Sequence, residues 1–160
     1  MTGSGTPGLT DLQQSALAGA ERTQNGLLVA QDALLAALRR PQPMRERAWA
    51  ERVGQELAKV IEALREHRLE VERADGLYAE ILRDAPWTEP RLRQLAAQLR
   101  RLEAEAADLQ VEVRRVEEGD LQGLHTIRHD AERMLQSLRD LLSKEADLIY
   151  ERFEQPPAAD

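Results

Sequence analysis

Cysteine is absent from this chain, which removes disulfide cross-links, thiolate nucleophiles and thiolate metal ligands together. Long apolar runs are missing as well. No stretch approaches the ~20 residues needed to cross a bilayer. The start, Met1–Gly8, has no basic segment leading into an apolar core. A cytoplasmic protein without membrane contact is the expectation. Two catalytic signatures are also lacking: there is no G-x-S-x-G elbow and no glycine-rich phosphate loop. The formal charge of -7 leaves little for duplex recognition, which needs a clustered basic face. Arg91, Arg93, Arg100 and Arg101 lie close together, but Glu103 and Glu105 follow at once, so this reads as a solvated mixed-charge face and no nucleic-acid partner is expected.

Aromatic residues make up only 3% of the chain, and β-branched runs that would mark strands are missing. What is present is Ala, Leu, Glu, Arg and Gln, all strong helix formers. At 160 residues the chain fits one domain. The fold should be all-α.

The clearest pattern lies in 91–116. Leu92, Leu95, Leu99, Leu102, Ala106, Leu109, Val113 and Val116 fall at alternating spacings of three and four, the seam of a helix packed lengthwise on others. At ~1.5 Å per residue the rod is roughly 40 Å long, and it cannot bury its own stripe. Other helices must lie along it.

Four helices follow from the punctuation. Residues 1–9 should be loose and 154–160 a flexible acidic tail, which leaves 10–153 as one helical domain. Thr10 with Gln13 forms a capping box for a first helix to about Arg40, weakened by Gly19 and Gly26. Its stripe carries Leu27, Leu28, Leu34, Leu35 and Leu38 with Gln31 among them. Pro41 and Pro43 break the chain, and Pro43 can open a second helix over about 44–74, with Trp49, Val53, Leu57, Val60, Leu64 and Val71 inward and His67 in the one gap. Asp75–Gly76 is a turn before a short piece to about Arg83. Thr88 can cap, and Pro90 open, the central rod. Gly119–Asp120 ends it. The last helix covers about 121–153, with Leu124, Ala131, Leu135, Leu138, Leu142 and Ile149 inward and Glu145 in the series. Short connections favour antiparallel neighbours, hence an up-down-up-down four-helix bundle.

Three inward polar residues stand out: Gln31, His67 and Glu145. An ionised carboxylate taken out of water needs a partner or a metal, and His67 is one candidate partner for Glu145. His125 and His129 share one helix face at ligand spacing, but without a third ligand they read as surface histidines. Glu62 with Arg65 and Glu80 with Arg83 read as surface pairs.

Leu64-Arg-Glu-His67, Asp75-Gly-Leu-Tyr-Ala-Glu-Ile81 and Lys144-Glu-Ala-Asp-Leu-Ile-Tyr150-Glu resemble the hemerythrin-like (HHE) cation-binding domains. These are four-helix bundles that hold two irons between His and Glu side chains, and the similarity covers about 27–153. What the resemblance implies is a bundle with a site near its middle, its ligands His67 and Glu145, with Glu70 or Glu72 beside the position Val71 that should carry a carboxylate. Histidines of the pattern would fall at Leu141, near Leu99, and near Gln24 or Gln31. Leucine supplies no donor, and a di-iron site needs roughly five to seven. The expectation is therefore a non-enzymatic bundle with an eroded or remodelled metal site, without a cofactor, acting as an interaction or regulatory module. Two other readings stand beside it. One is a working cation protein that takes iron for sensing, storage or oxidative chemistry. The other is a coiled-coil adaptor or homo-oligomeric scaffold.

Overall fold

The computed structural model describes residues 8–40 and 44–154, and every element among them is helical. Five α-helices follow one another: α1 (Asp11–Arg39), α2 (Glu46–Val71), α3 (Leu77–Asp84), α4 (Glu89–Glu117) and α5 (Leu124–Ile149). Single 3₁₀ turns at Pro86–Thr88 and Leu121–Gly123 lead into α4 and α5, and a π-helical turn, Tyr150–Glu154, extends α5. No helix is long and apolar enough to cross a membrane among the described residues.

Local chemistry sets most of the ends. The Thr10 hydroxyl accepts from the Gln13 N–H at 3.1 Å while the Thr10 N–H donates to the Gln13 side chain at 3.1 Å, the reciprocal box expected for α1. Gln13 also donates to Asp84 at 2.6 Å, so the cap of α1 is tied to the end of α3. The expected break at Pro41 and Pro43 lies outside the described residues. The α2 start shifts from Met44 to Glu46, because Met44 stands at φ 65, outside helical backbone.

At its other end α2 stops at Val71 rather than at Ala74, and the chain turns back so tightly that a Cβ on Gly76 would lie 2.4 Å from the Glu70 carbonyl oxygen. That turn launches α3. Thr88 does not cap α4. Its hydroxyl donates instead to the Ala85 carbonyl at 2.6 Å, closing the 3₁₀ turn, and α4 begins at Glu89 with Pro90 in its first turn. The 3₁₀ geometry at Pro86–Thr88 leaves Thr88 in helical backbone, where an N-cap side chain cannot reach forward.

All eight seam residues of α4 are buried, from Leu92 to Val116. Between neighbouring helices the contacts rise in number on one helix as they fall on the other. Gly19 lies against Glu70 and Thr23 meets His67; Arg68 meets Glu103 at 2.7 Å and Glu72 meets Arg100 at 2.9 Å; Arg91 meets Glu151 and Gln98 meets the Ser137 carbonyl at 3.3 Å. The pairs α1 with α2, α2 with α4 and α4 with α5 are therefore antiparallel. Arg91 joins Glu151 at 2.8 Å, and this hydrogen bond holds the Glu151 carboxyl below its usual range and raises the Arg91 guanidinium.

Two stripes differ from expectation. Leu28 is 43% exposed, because the buried face of α1 runs through Leu27, Ala30, Gln31, Leu34, Ala37 and Leu38 and leaves Leu28 on its flank. On α5, Leu124 and Leu142 are half-buried, while Ile127, Met134, Leu141 and Leu148 are buried. The apolar face of α5 is wider than one heptad seam, as for a helix that touches more than one neighbour.

Leu99 and Leu141 are both fully buried. Leu99→Ala should cost about 2–5 kcal/mol in chemical denaturation, as large-to-small changes in a packed core do. A loss under about 0.5 kcal/mol would contradict the packing of the α4 seam.

Candidate functional site

The interior is largely aliphatic, and its two most deeply buried titratable side chains meet at one level. Glu145 on α5 and His67 on α2 are 1% and 0% exposed, each taking the place of a leucine or valine in its stripe. They meet directly, His67 Nε2 lying 2.8 Å from Glu145 Oε2. Gln24 of α1 donates from Nε2 to the same oxygen at 2.9 Å. The Tyr78 hydroxyl of α3 donates to Oε1 at 2.5 Å. One carboxylate thus accepts from an imidazole, an amide and a phenol, drawn from three other helices. Charge-assisted hydrogen bonds of this kind are roughly twice as strong as neutral ones, and they offset the desolvation that an isolated buried carboxylate suffers.

The shell extends one residue further. Thr23 Oγ1 lies 2.7 Å from His67 Nδ1, and also 3.2 and 3.1 Å from the carbonyl oxygens of Gly19 and Ala20. With Nε2–H donating to Glu145, a neutral His67 accepts the Thr23 hydroxyl proton at Nδ1. A doubly protonated His67 donates there instead, and the hydroxyl turns to a backbone carbonyl. The hydrogen bonding is complete in both states. Burial, then the negative charge of Glu145 and the hydrogen bond to it, and last the charge of Glu72, push the Tyr78 phenol far above its ordinary range.

The structure brings His67 and Glu145 together, and places Glu70 and Glu72 elsewhere. Glu70 lies against Gly19, where a Cβ would stand 2.0 Å from its Oε1, and pairs with Arg22 at 3.7 Å and Arg73 at 3.4 Å. Gly19, which weakens α1, thereby makes room for the α2 carboxylate. Glu72 pairs with Arg100 at 2.9 Å and Arg68 at 3.7 Å. Val71 is buried between them. Gln31 is buried with no partner for its Oε1. His125 and His129 are exposed, as surface histidines should be.

The Glu80–Arg83 pair forms at 2.7 Å, but Glu80 is only 3% exposed and is not a surface residue, since α3 lays that face against the other helices. Among the described residues no ion pair joins Glu62 to Arg65. Tyr78 and Thr23 were not singled out by sequence pattern. Tyr78 was legible in principle, because a tyrosine on the apolar face of a short helix needs a partner for its hydroxyl. Thr23 carried no such signal.

A di-iron centre is a poor match to these donors. Only one imidazole and one carboxylate meet, both bonded to each other, and Leu99 and Leu141, where the resemblance would put histidines, are buried aliphatic side chains. Among the described residues no three His, Asp or Glu side chains gather as a metal-holding group. Comparison with family profiles, curated proteins and solved structures finds no match to this chain.

The raised Tyr78 pKa gives a pH test. Because the folded value lies above the unfolded value near 10, the contribution is intact below pH ~10 and falls as pH rises, when unfolded chains release a proton that the native state keeps. Tyr78→Phe should lose about 1–3 kcal/mol at neutral pH by leaving Glu145 short of a donor. It should also flatten the alkaline decline by up to about 1.4 kcal/mol per pH unit. Urea titrations between pH 8 and 11 measure both, and an unchanged alkaline slope would show that Tyr78 titrates normally.

Proposed function

We propose that this chain is a non-enzymatic helical bundle of hemerythrin-like, up-down-up-down type, in which α3 is a strap and the metal site is remodelled into a hydrogen-bonded cluster, and that it acts as an interaction or regulatory module. One observation carries this reading: His67, Gln24 and Tyr78 take three of the roughly four acceptor positions of Glu145 directly. A metal ligand keeps its lone pairs for the cation and uses neighbours to orient them. Here the neighbours occupy most of the lone pairs themselves. The buried leucines at 99 and 141 fit the same remodelling, because an aliphatic side chain fills a place that a ligand left.

The reading as a cation protein rests on the contact of His67 with Glu145, two donors of the correct type at one point. Its difficulty is the third and later donors, since Glu70 and Glu72 are held by arginines. The coiled-coil scaffold reading rests on the α4 heptads. That seam is buried against this chain's own helices and presents no free stripe to a second chain.

A double-mutant cycle separates the first two. His67→Leu alone or Glu145→Leu alone should cost about 3–5 kcal/mol, because each leaves the other polar group buried without its partner. The double change should cost clearly less than the sum, with melting curves that do not respond to added iron or to a chelator. Two tightly held irons per chain with a near-ultraviolet oxo-bridge band, or melting that rises with iron in the wild type and not in the double variant, would overturn the proposal in favour of the cation reading.

A further inference from the structure

The short helix α3 differs from its four neighbours in how it is held. Its side-chain hydrogen bonds and ion pairs to the rest of the molecule lie at its two ends. Near the start, the Tyr78 hydroxyl donates to Glu145. At the close, Asp84 accepts from Gln13 of α1 at 2.6 Å and from Arg152 of the terminal turn at 3.2 Å. Between these points Leu77 and Ile81 are buried, and so is Glu80, at 3% exposure. Glu80 is the anomaly. Among the described residues its carboxylate pairs with Arg83 of its own helix at 2.7 Å, and no side chain of α1, α2, α4 or α5 donates to it. A carboxylate taken out of water needs donors around it, so α3 in place leaves Glu80 under-solvated. The Nε–H of Arg152, beyond Asp84, is likewise sealed from water without an acceptor. Both groups regain water if α3 lifts, and Arg83 travels with Glu80, so that ion pair survives the movement.

We propose that α3 is a lid. It lifts from α1 and α5 as a unit while the four long helices stay folded, and in lifting it withdraws Tyr78 from Glu145 and opens the Glu145–His67 pair, otherwise 1% and 0% exposed, to solvent. Burial of Leu77 and Ile81 favours the closed state, Asp84 is the latch, and the dehydrated Glu80 carboxylate favours the open state. Such local openings are drawn from elements with few ties to the rest of a fold, and an 8-residue helix bonded at its ends is one. That the opening serves regulation rests on the function proposed above, whereas the opening itself does not.

Native-state hydrogen exchange in low denaturant reads the movement. The α3 amides, bonded from the Glu80 N–H to the Ala85 N–H within the helix and its caps, should exchange at least about a hundredfold faster than those of the α4 seam, with little dependence on denaturant. Val113→Ala, at the far end of α4, should speed α4 exchange and leave α3 exchange unchanged. Asp84→Ala should speed α3 exchange at least about tenfold by removing the latch. Glu80→Gln should slow it about tenfold, the opposite of losing a structural ion pair. Across these variants, acylation of His67 by diethyl pyrocarbonate should follow the α3 rate and not the α4 rate, with peptide mapping to separate it from the exposed His125 and His129. Exchange of α3 that keeps step with α4 in Val113→Ala, faster α3 exchange in Glu80→Gln, or a His67 that reacts only at the rate of global unfolding would each overturn the lid. The cycle at His67 and Glu145 tests the remodelled cluster separately, so either can fail while the other stands.

Discussion

The arrangement turns on a carboxylate that cannot stay in the interior alone. Glu145 sits where its helix would otherwise place an aliphatic residue, and the desolvation of an unpaired carboxylate amounts to several kcal/mol. The chain answers with donors from α1, α2 and α3 converging on two oxygens. These donors impose register as well as neutralisation. Sliding α2 by one turn would replace His67 by Leu64 or Val71, and the carboxylate would lose its partner. An aliphatic stripe tolerates such a slip, since leucine against leucine is similar at each turn. A polar contact does not, which is the best-attested use of buried polar groups in helical assemblies.

The same contact explains the position of α3. A helix of 8 residues is too short to be stable by itself, so it must be held by what it touches. Gly76 permits the sharp return from α2, and Leu77 and Ile81 bury an apolar face. Tyr78 reaches Glu145 from one side, while Asp84 at its far end receives Gln13 from α1 and Arg152 from the turn after α5. The strap is pinned at both ends by polar contacts and along its length by apolar ones.

Much of this is legible in the sequence. The α4 seam was fully determined by its spacing, because a three-four alternation over eight positions admits only one buried face. His67 and Glu145 were readable as inward polar residues for the same reason, as gaps in an otherwise apolar period. The sequence was silent on features that depend on which helix lies next to which. Leu28 and Leu124 are as apolar as their buried neighbours, and only the width of the contact decides that they lie at its edge. Thr88 has the residue type of a cap, yet its hydroxyl found a nearer carbonyl. Glu70 and Glu72 flank the right position for a ligand, but at ~100° per residue they turn to either side of it, Glu70 toward α1 and Glu72 toward α4, where arginines hold them.

Gln24, half-buried, and Gln31, buried, show how much of an inward polar residue's role lies in its partner. They stand seven residues apart on α1 and differ by one heptad. Gln24 donates to Glu145 and closes the cluster, whereas Gln31 is buried with a carbonyl oxygen that nothing reaches. The first is part of an arrangement in which each polar group answers another. The second is a local cost of roughly 1–3 kcal/mol that the surrounding leucines must outweigh. Residue type and helical phase are the same for both, so neither composition nor periodicity distinguishes them. What distinguishes them is a carboxylate more than a hundred residues away, and this is the physical reason that a site in a helical bundle is harder to read from sequence than the bundle itself.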